Sequence, residues 1–144
     1  MNVSFALFSD AANISQEGKL NILGIFDAVH VNQFPALHPR ATFVLHMKAT
    51  PRDTGTHPML LRWVNPRGTE LWNSEAQLDI GSPPPGQQDL DMPIIVQLDL
   101  PLDMLGDYTM RVAIDGRDSA TCVLHVRGTP PAPVVPAGAG QLPA

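Results

Sequence analysis

Apolar residues recur at every second position along most of this chain, and a period of two fits strands that bury one face, not helices. The pattern is cleanest where Ala41, Phe43, Leu45, Met47 and Ala49 alternate with Thr42, Val44, His46 and Lys48. It returns in Ile94, Val96, Leu98 and Leu100, and again in Met110, Val112 and Ile114. Asp115-Gly116-Arg117-Asp118 then leads into Ala120, Cys122, Leu124 and Val126, and Asp-Gly between two alternating runs predicts a hairpin. Val3, Phe5 and Leu7 begin the first strand, while Phe8 breaks the alternation and predicts burial on both faces at that end. The expected fold is all-β, an antiparallel β-sandwich of about seven or eight strands, immunoglobulin-like or similar.

Glycine and proline punctuate this pattern. A polar connection from Asp10 to Gly18 ends in Ser15-Gln16-Glu17-Gly18, where glycine can take the positive φ of a tight turn. A second strand is expected from about Lys19 to Val31, with Gly24 marking a bulge or a close backbone approach. Phe34-Pro35 and His38-Pro39 should stiffen a connection ahead of the strand at Ala41. Pro51 to Gly55 reads as a turn, His57 to Val64 as a strand, and Asn65-Pro66-Arg67-Gly68 as a β-turn. The strand that resumes at Thr69 should be irregular from Trp72 to Ile80. Gly81 to Gly86, with consecutive prolines at 83, 84 and 85, belongs in no sheet interior and should bridge the two sheets.

The expected organisation is one domain over residues 1–127 and a disordered Pro/Ala/Gly-rich tail over 128–144, which holds five prolines and no charge. A domain of that size buries roughly two-thirds of its unfolded surface and needs no disulfide or metal. The lone Cys122 falls on the apolar side of its alternating run and is expected to face the core. No stretch approaches a membrane span, and the first residues lack the basic region of a signal peptide, so a soluble cytoplasmic protein is expected. The net charge is −5, and eight acids lie between Arg67 and Arg111 with no lysine or arginine among them. That balance disfavours nucleic acid, whose binding needs a positive footprint.

Motifs of catalysis are absent from the sequence: no glycine-rich phosphate loop, HExxH pair or paired CxxC occurs, and no cofactor is expected. His46 and His57 flank one turn and could approach across a hairpin, but no third ligand is apparent, so no metal is expected there. Alternating strands would gather the turns at Asp10, Asp53 and Asp115 to Asp118 at one end, as in calcium-binding loops of membrane-docking sandwiches. Three functions follow. The leading one is a non-enzymatic interaction or structural module that binds an unidentified protein partner or its own copies. The alternatives are calcium or small-ligand binding at the acidic end, and a hydrolase or isomerase whose site assembles through space.

Leu105-Gly106-Asp107-Tyr108 resembles the tyrosine corner of immunoglobulin-like sandwiches, although Met110 stands where antibody domains carry the framework cysteine. The stretch Ala12-Asn13-Ile14-Ser15-Gln16-Glu17-Gly18-Lys19-Leu20-Asn21-Ile22-Leu23-Gly24-Ile25-Phe26-Asp27 resembles the opening signature of a family of short bacterial proteins of unknown function. Phe34-Pro35-Ala36-Leu37-His38-Pro39, Gly106-Asp107-Tyr108 and Asp115-Gly116 agree with it, so the likeness spans most of residues 1–127. The resemblance implies a bacterial cytoplasmic β-domain and carries no activity. It singles out Asn13, Glu17, Lys19, Asp27 and His38 as candidate binding residues. Four of them also have a structural role open to them: an Asx-turn for Asn13, an ion pair across the turn glycine for Glu17 and Lys19, and a bond to loop backbone for His38.

Overall fold

A computed structural model of the chain describes residues 1–128. Nine strands make up the described residues: β1 (Asn2–Ile14), β2 (Leu20–Phe26), β3 (Ala28–His30), β4 (Ala36–Ala49), β5 (Gly55–Val64), β6 (Glu70–Ile80), β7 (Leu90–Leu102), β8 (Gly106–Ile114) and β9 (Arg117–Arg127). They form two sheets, the first ordered β2-β1-β4-β7 and the second β3-β9-β8-β5-β6. The expected two-sheet sandwich is therefore the fold. The expected tail lies outside the described residues from position 129 onward.

Two expectations about the first third are corrected. The single strand from Lys19 to Val31 is two strands on different sheets, because the chain bends at Asp27 and β3 pairs in parallel with β9. This raises the strand number to nine and adds one parallel pair to an otherwise antiparallel sandwich. Likewise, His38-Pro39 is not a connection: β4 already begins at Ala36, and His38 pairs with Leu100 of β7. The ladder tolerates Pro39 because a bulge lies between His38 and Ala41, where Arg40 takes a φ of 55° and Asp99 accepts its N–H at 3.0 Å.

β1 is longer than its alternating segment, since the residues from Asp10 to Ile14, expected in the connection, continue the strand and Ala11 to Ile14 pair with β2. β6 runs unbroken from Glu70 to Ile80 against β5, with its irregularity confined to the Trp63/Val64 step of the partner. The proline loop after β6 does carry the chain from the second sheet to the first.

Between the sheets lies one apolar core, with Phe8, Phe43, Leu45, Met47, Leu100 and Leu102 from the first sheet meeting Leu61, Trp63, Tyr108, Met110, Val112 and Leu124 from the second. Trp63 is its centre: the ring stacks on Tyr108 at 5.3 Å and meets Phe8 edge-on at 5.9 Å. Its Nε1 donates to the Pro101 carbonyl at 2.9 Å, a hydrogen bond that joins β5 to β7 across the sandwich. The tyrosine corner forms as its sequence predicts, with the Tyr108 hydroxyl accepting the N–H groups of Asp103 and Met104 at 2.8 and 2.9 Å.

Candidate functional site

The five signature residues fall in two places. Asn13, Glu17 and Lys19 stand at the tip of the β1–β2 hairpin, where Gly18 has a φ of 84° and donates its N–H to the Ser15 carbonyl at 2.9 Å. Asn13 makes no Asx-turn. It lies in β1 opposite Asn21, whose Nδ2 donates to the Asn13 Oδ1 at 3.0 Å. Glu17 and Lys19 pair at 3.3 Å, both largely exposed. Asp27 and His38 belong to the crossover instead. The Asp27 carbonyl accepts the His125 N–H at 2.8 Å, which fixes the step from the first sheet to the second. The His38 ring lies 5.4 Å from that of Phe26, the residue before the bend, and takes up a ring contact in place of the expected bond to loop backbone.

At the opposite end, Met1, Asp53, Asp115, Arg117 and Asp118 line a groove of about 570 Å³. His57 ties it together, with Nδ1 at 2.7 Å from the Asp115 carboxylate and Nε2 at 2.6 Å from the Asp53 carbonyl. The hydrogen bond to Asp115, then that to the Asp53 carbonyl, raises the His57 pKa above 6.5, because both acceptors favour a ring with two protons. Asp53 is held below its ordinary value by the Thr50 N–H and by the Met1 amino group at 2.9 Å. Asp10 is absent from this end. It lies in β1 beside the Ser9–Thr42 pair, whereas Asp53 follows the far end of β4, so the two stand roughly 23 Å apart along the strand. His46 and His57 do not approach across a hairpin either, since β4 and β5 are in different sheets. Among the described residues no three His, Cys, Asp or Glu side chains converge in a way that could hold a metal ion.

Cys122 packs against the core with partial burial, as its alternation predicts. Burial, with a smaller contribution from the Asp27 charge, pushes its thiol up to about 11, so little of the nucleophilic thiolate exists near neutrality.

A further feature lies on neither end. Strand pairing puts Phe5, His46 and Pro93 in one row across the outer side of the first sheet, Leu7, Val44 and Ile95 in the next, and Ile25, Ser9, Thr42 and Gln97 in a third. Ala11 and Leu23 form a fourth. No Asp, Glu, Lys or Arg occurs in these rows. Val44 is fully buried under its neighbours although it points away from the core, and Phe5 stacks on His46 at 5.1 Å. Leu23 and Ile25 are 71% and 64% exposed. Charged residues appear at the margins: Lys48 stands opposite Asp91 in the register, Asp99 accepts the backbone N–H of Arg40, and Glu17 pairs with Lys19. The outer side of the second sheet is the contrast, with Arg62 paired to Glu70 at 2.7 Å, Asp107 to His125 at 2.6 Å, and Arg111 beside Arg62.

This surface was partly written in the sequence. Phe5-Ala6-Leu7-Phe8, Phe43-Val44-Leu45 and Ile94-Ile95-Val96 are apolar at both parities, which is the pattern of a sheet with two apolar faces. Only Phe8 was singled out for it. Among the described residues no helix is long and apolar enough to cross a membrane.

No curated protein matches the chain. Among solved structures it is similar to an immunoglobulin-like protein from Pseudomonas aeruginosa, with 12% identity over 88% of this chain and 95% of that one and a TM-score of 0.36. Residues 4–127, nearly the whole sandwich, match the model of a family of unknown function, and the chain belongs to that family, DUF6941.

Proposed function

We propose that this protein is a non-enzymatic interaction module of the bacterial cytoplasm, and that the outer side of its first sheet is the surface that meets a protein partner. One observation carries the reading: four successive rows on that side hold no charged residue, and charges return at the margin. An uncharged, largely apolar centre with charges at its rim is the anatomy of a protein contact, whose core is depleted of charged residues. Enzyme chemistry has less support. The carboxylates of Asp53 and Asp115 in the end groove are engaged with the Met1 amino group and His57, and Cys122 is held as a thiol. Cytoplasmic placement accords with the single cysteine, which has no partner for a disulfide within the chain.

The test compares substitutions on the two outer sides. Leu23→Glu and Ile25→Glu alter exposed positions of the first sheet, and Val123→Glu alters one on the second. Each variant and the parent chain are used for capture from the host lysate and for sedimentation, so that both a foreign partner and self-association are read. Association lost with Leu23→Glu and Ile25→Glu but kept with Val123→Glu is the expected result. Loss with Val123→Glu alone would move the surface to the second sheet and overturn the reading.

A further inference from the structure

The groove at the end of the sandwich runs between the two sheets, with Val3 of β1 on one wall and Ile114, Arg117 and Ser119 of the β8–β9 hairpin on the other. His57 shares the parity of Met59, Leu61 and Trp63, so its ring points between the sheets and is only 17% exposed. Two hydrogen bonds hold that ring. They reach from Asp115, in the β8–β9 turn, to Asp53, in the turn Pro51–Asp53 that links β4 to β5. The Asp53 carboxylate continues the series to the Met1 amino group at 2.9 Å, so Asp115, His57, Asp53 and Met1 connect the second sheet to the first.

Both partners of the ring are acceptors. A carboxylate and a backbone carbonyl have no proton to give, so Nδ1 and Nε2 must each carry one, and the ring that satisfies both is the imidazolium. A neutral ring has one N–H and one lone pair. Whichever nitrogen is left bare sets its lone pair against an oxygen 2.6 or 2.7 Å away, and that contact has to open. The remaining proton stays with the stronger acceptor, the charged Asp115 carboxylate, so the bond that is lost is the one from Nε2 to the Asp53 carbonyl.

The surroundings favour the same outcome. Asp115 donates its own N–H to the Pro58 carbonyl at 3.0 Å, a second tie between the hairpin and β5, whereas the N–H groups of Asp53 and Thr54 bond within their own turn to Thr50 and Pro51. Among the described residues the charges that act on the ring are those of Asp115 and Asp53. From β6, Leu78 stands opposite His57, and the neighbouring Asp79 accepts the Thr56 hydroxyl at 2.8 Å. Arg117 and Asp118 line the groove beyond Asp115.

We infer that His57 is a proton-operated latch on this groove: with both ring nitrogens protonated it holds the Asp53 turn against the β8–β9 hairpin, and loss of one proton releases the turn and widens the groove between the sheets. The latch is closed on the acid side and opens as pH rises through the titration of the ring.

Nuclear magnetic resonance on the isotopically labelled full chain, from about pH 5.5 to about pH 9, follows the ring nitrogens and, through hydrogen exchange, the backbone amides. Both ring nitrogens should carry a proton at the acid end, and Nδ1 alone at the alkaline end. Protection of the Asp53 and Thr54 amides, corrected for the intrinsic pH dependence of exchange, should fall roughly tenfold across the same midpoint while that of the Asp115 amide holds. In Asp115→Asn the fall should move to lower pH together with the ring, which separates it from titration of the Met1 amino group. Asp115 is 45% exposed and has a φ of 54° that Asn accepts, so this variant keeps the turn. In His57→Gln the fall should vanish, and circular dichroism checks that the variant folds. A ring that loses its proton while Asp53 and Thr54 stay protected, a loss at Asp115 in their place, or a fall that keeps the parent midpoint in Asp115→Asn would each overturn the inference.

Discussion

The Tyr108 hydroxyl donates a 2.7 Å hydrogen bond to the carboxylate of Asp103, five residues earlier, while Asp103 returns its own N–H to the same oxygen at 2.8 Å. The other carboxylate oxygen accepts from Asn65 Nδ2 at 3.0 Å, and Asn65 Oδ1 in turn takes the N–H groups of Arg67 and Thr69 at 3.0 and 2.8 Å. One phenol therefore fixes both the exit of β7 and the turn between β5 and β6. Gly106 belongs to the same joint, since a Cβ there would run into the Pro66 ring.

Tyr108→Phe should destabilise the domain by about 2 kcal/mol, because it removes a hydrogen bond to a charged group and leaves two N–H donors without their acceptor. Urea unfolding measures this. Burial opposes ionisation of Asp103, but the bonds from Tyr108 and Asn65 outweigh it and hold the carboxyl below its ordinary 3.8. A lowered folded pKa contributes stability above the unfolded value and loses it as pH falls through the folded one. The parent chain should accordingly lose more stability between pH 5 and acid than Tyr108→Phe does.

Gly24→Ala should cost roughly 1–3 kcal/mol. Its φ of 71° disfavours any side chain, and the new Cβ would collide with the carboxylate of Asp10, which lies across the glycine from β1. Replacing Asp10 with Ala in the same chain should recover the steric part and leave the conformational part. Unfolding of the parent chain, both single variants and the double variant separates the two.

The Cys122 thiol, near 11 against an ordinary 9.0, should react with iodoacetamide at pH 7.5 roughly a hundredfold more slowly than an unperturbed thiol. Full reactivity should appear in urea as the fold opens. Rapid labelling of the native chain would contradict the burial of this side chain.

His57 should titrate above 6.5, since its bonds to Asp115 and to the Asp53 carbonyl favour the protonated ring. The sign is that of a raised pKa: the stabilisation is complete below the unfolded value and is lost as pH rises through the folded one. Nuclear magnetic resonance of the ring protons gives the midpoint, which should fall toward 6.5 in Asp115→Asn.

The strands that face the core from central positions were legible because one buried face imposes a strict period of two, as in Ala41 to Ala49 and Met110 to Ile114. The tyrosine corner was legible for a different reason: Leu105-x-x-Tyr108 is a local device whose partners lie within five residues. The break at Asp27 was not, because Ile25, Phe26, Ala28 and Val29 remain apolar while the chain changes sheets, and periodicity says nothing of which sheet a strand joins. Pro39 misled for a local reason, since a bulge at Arg40 lets a proline sit inside a long strand. Of the candidate residues, Glu17 and Lys19 were placed correctly as an exposed pair across the turn. The apolar outer side needed the register, for only strand pairing shows that Phe5, Leu7, Val44, Ile95, Ile25 and Leu23 form one surface.

Capture from the host lysate, with sedimentation of the chain alone, tests most directly whether the outer side of the first sheet is a contact surface. The bound protein or the second copy should be held by the parent chain and by Val123→Glu and lost with Leu23→Glu. Association that Leu23→Glu keeps would contradict it.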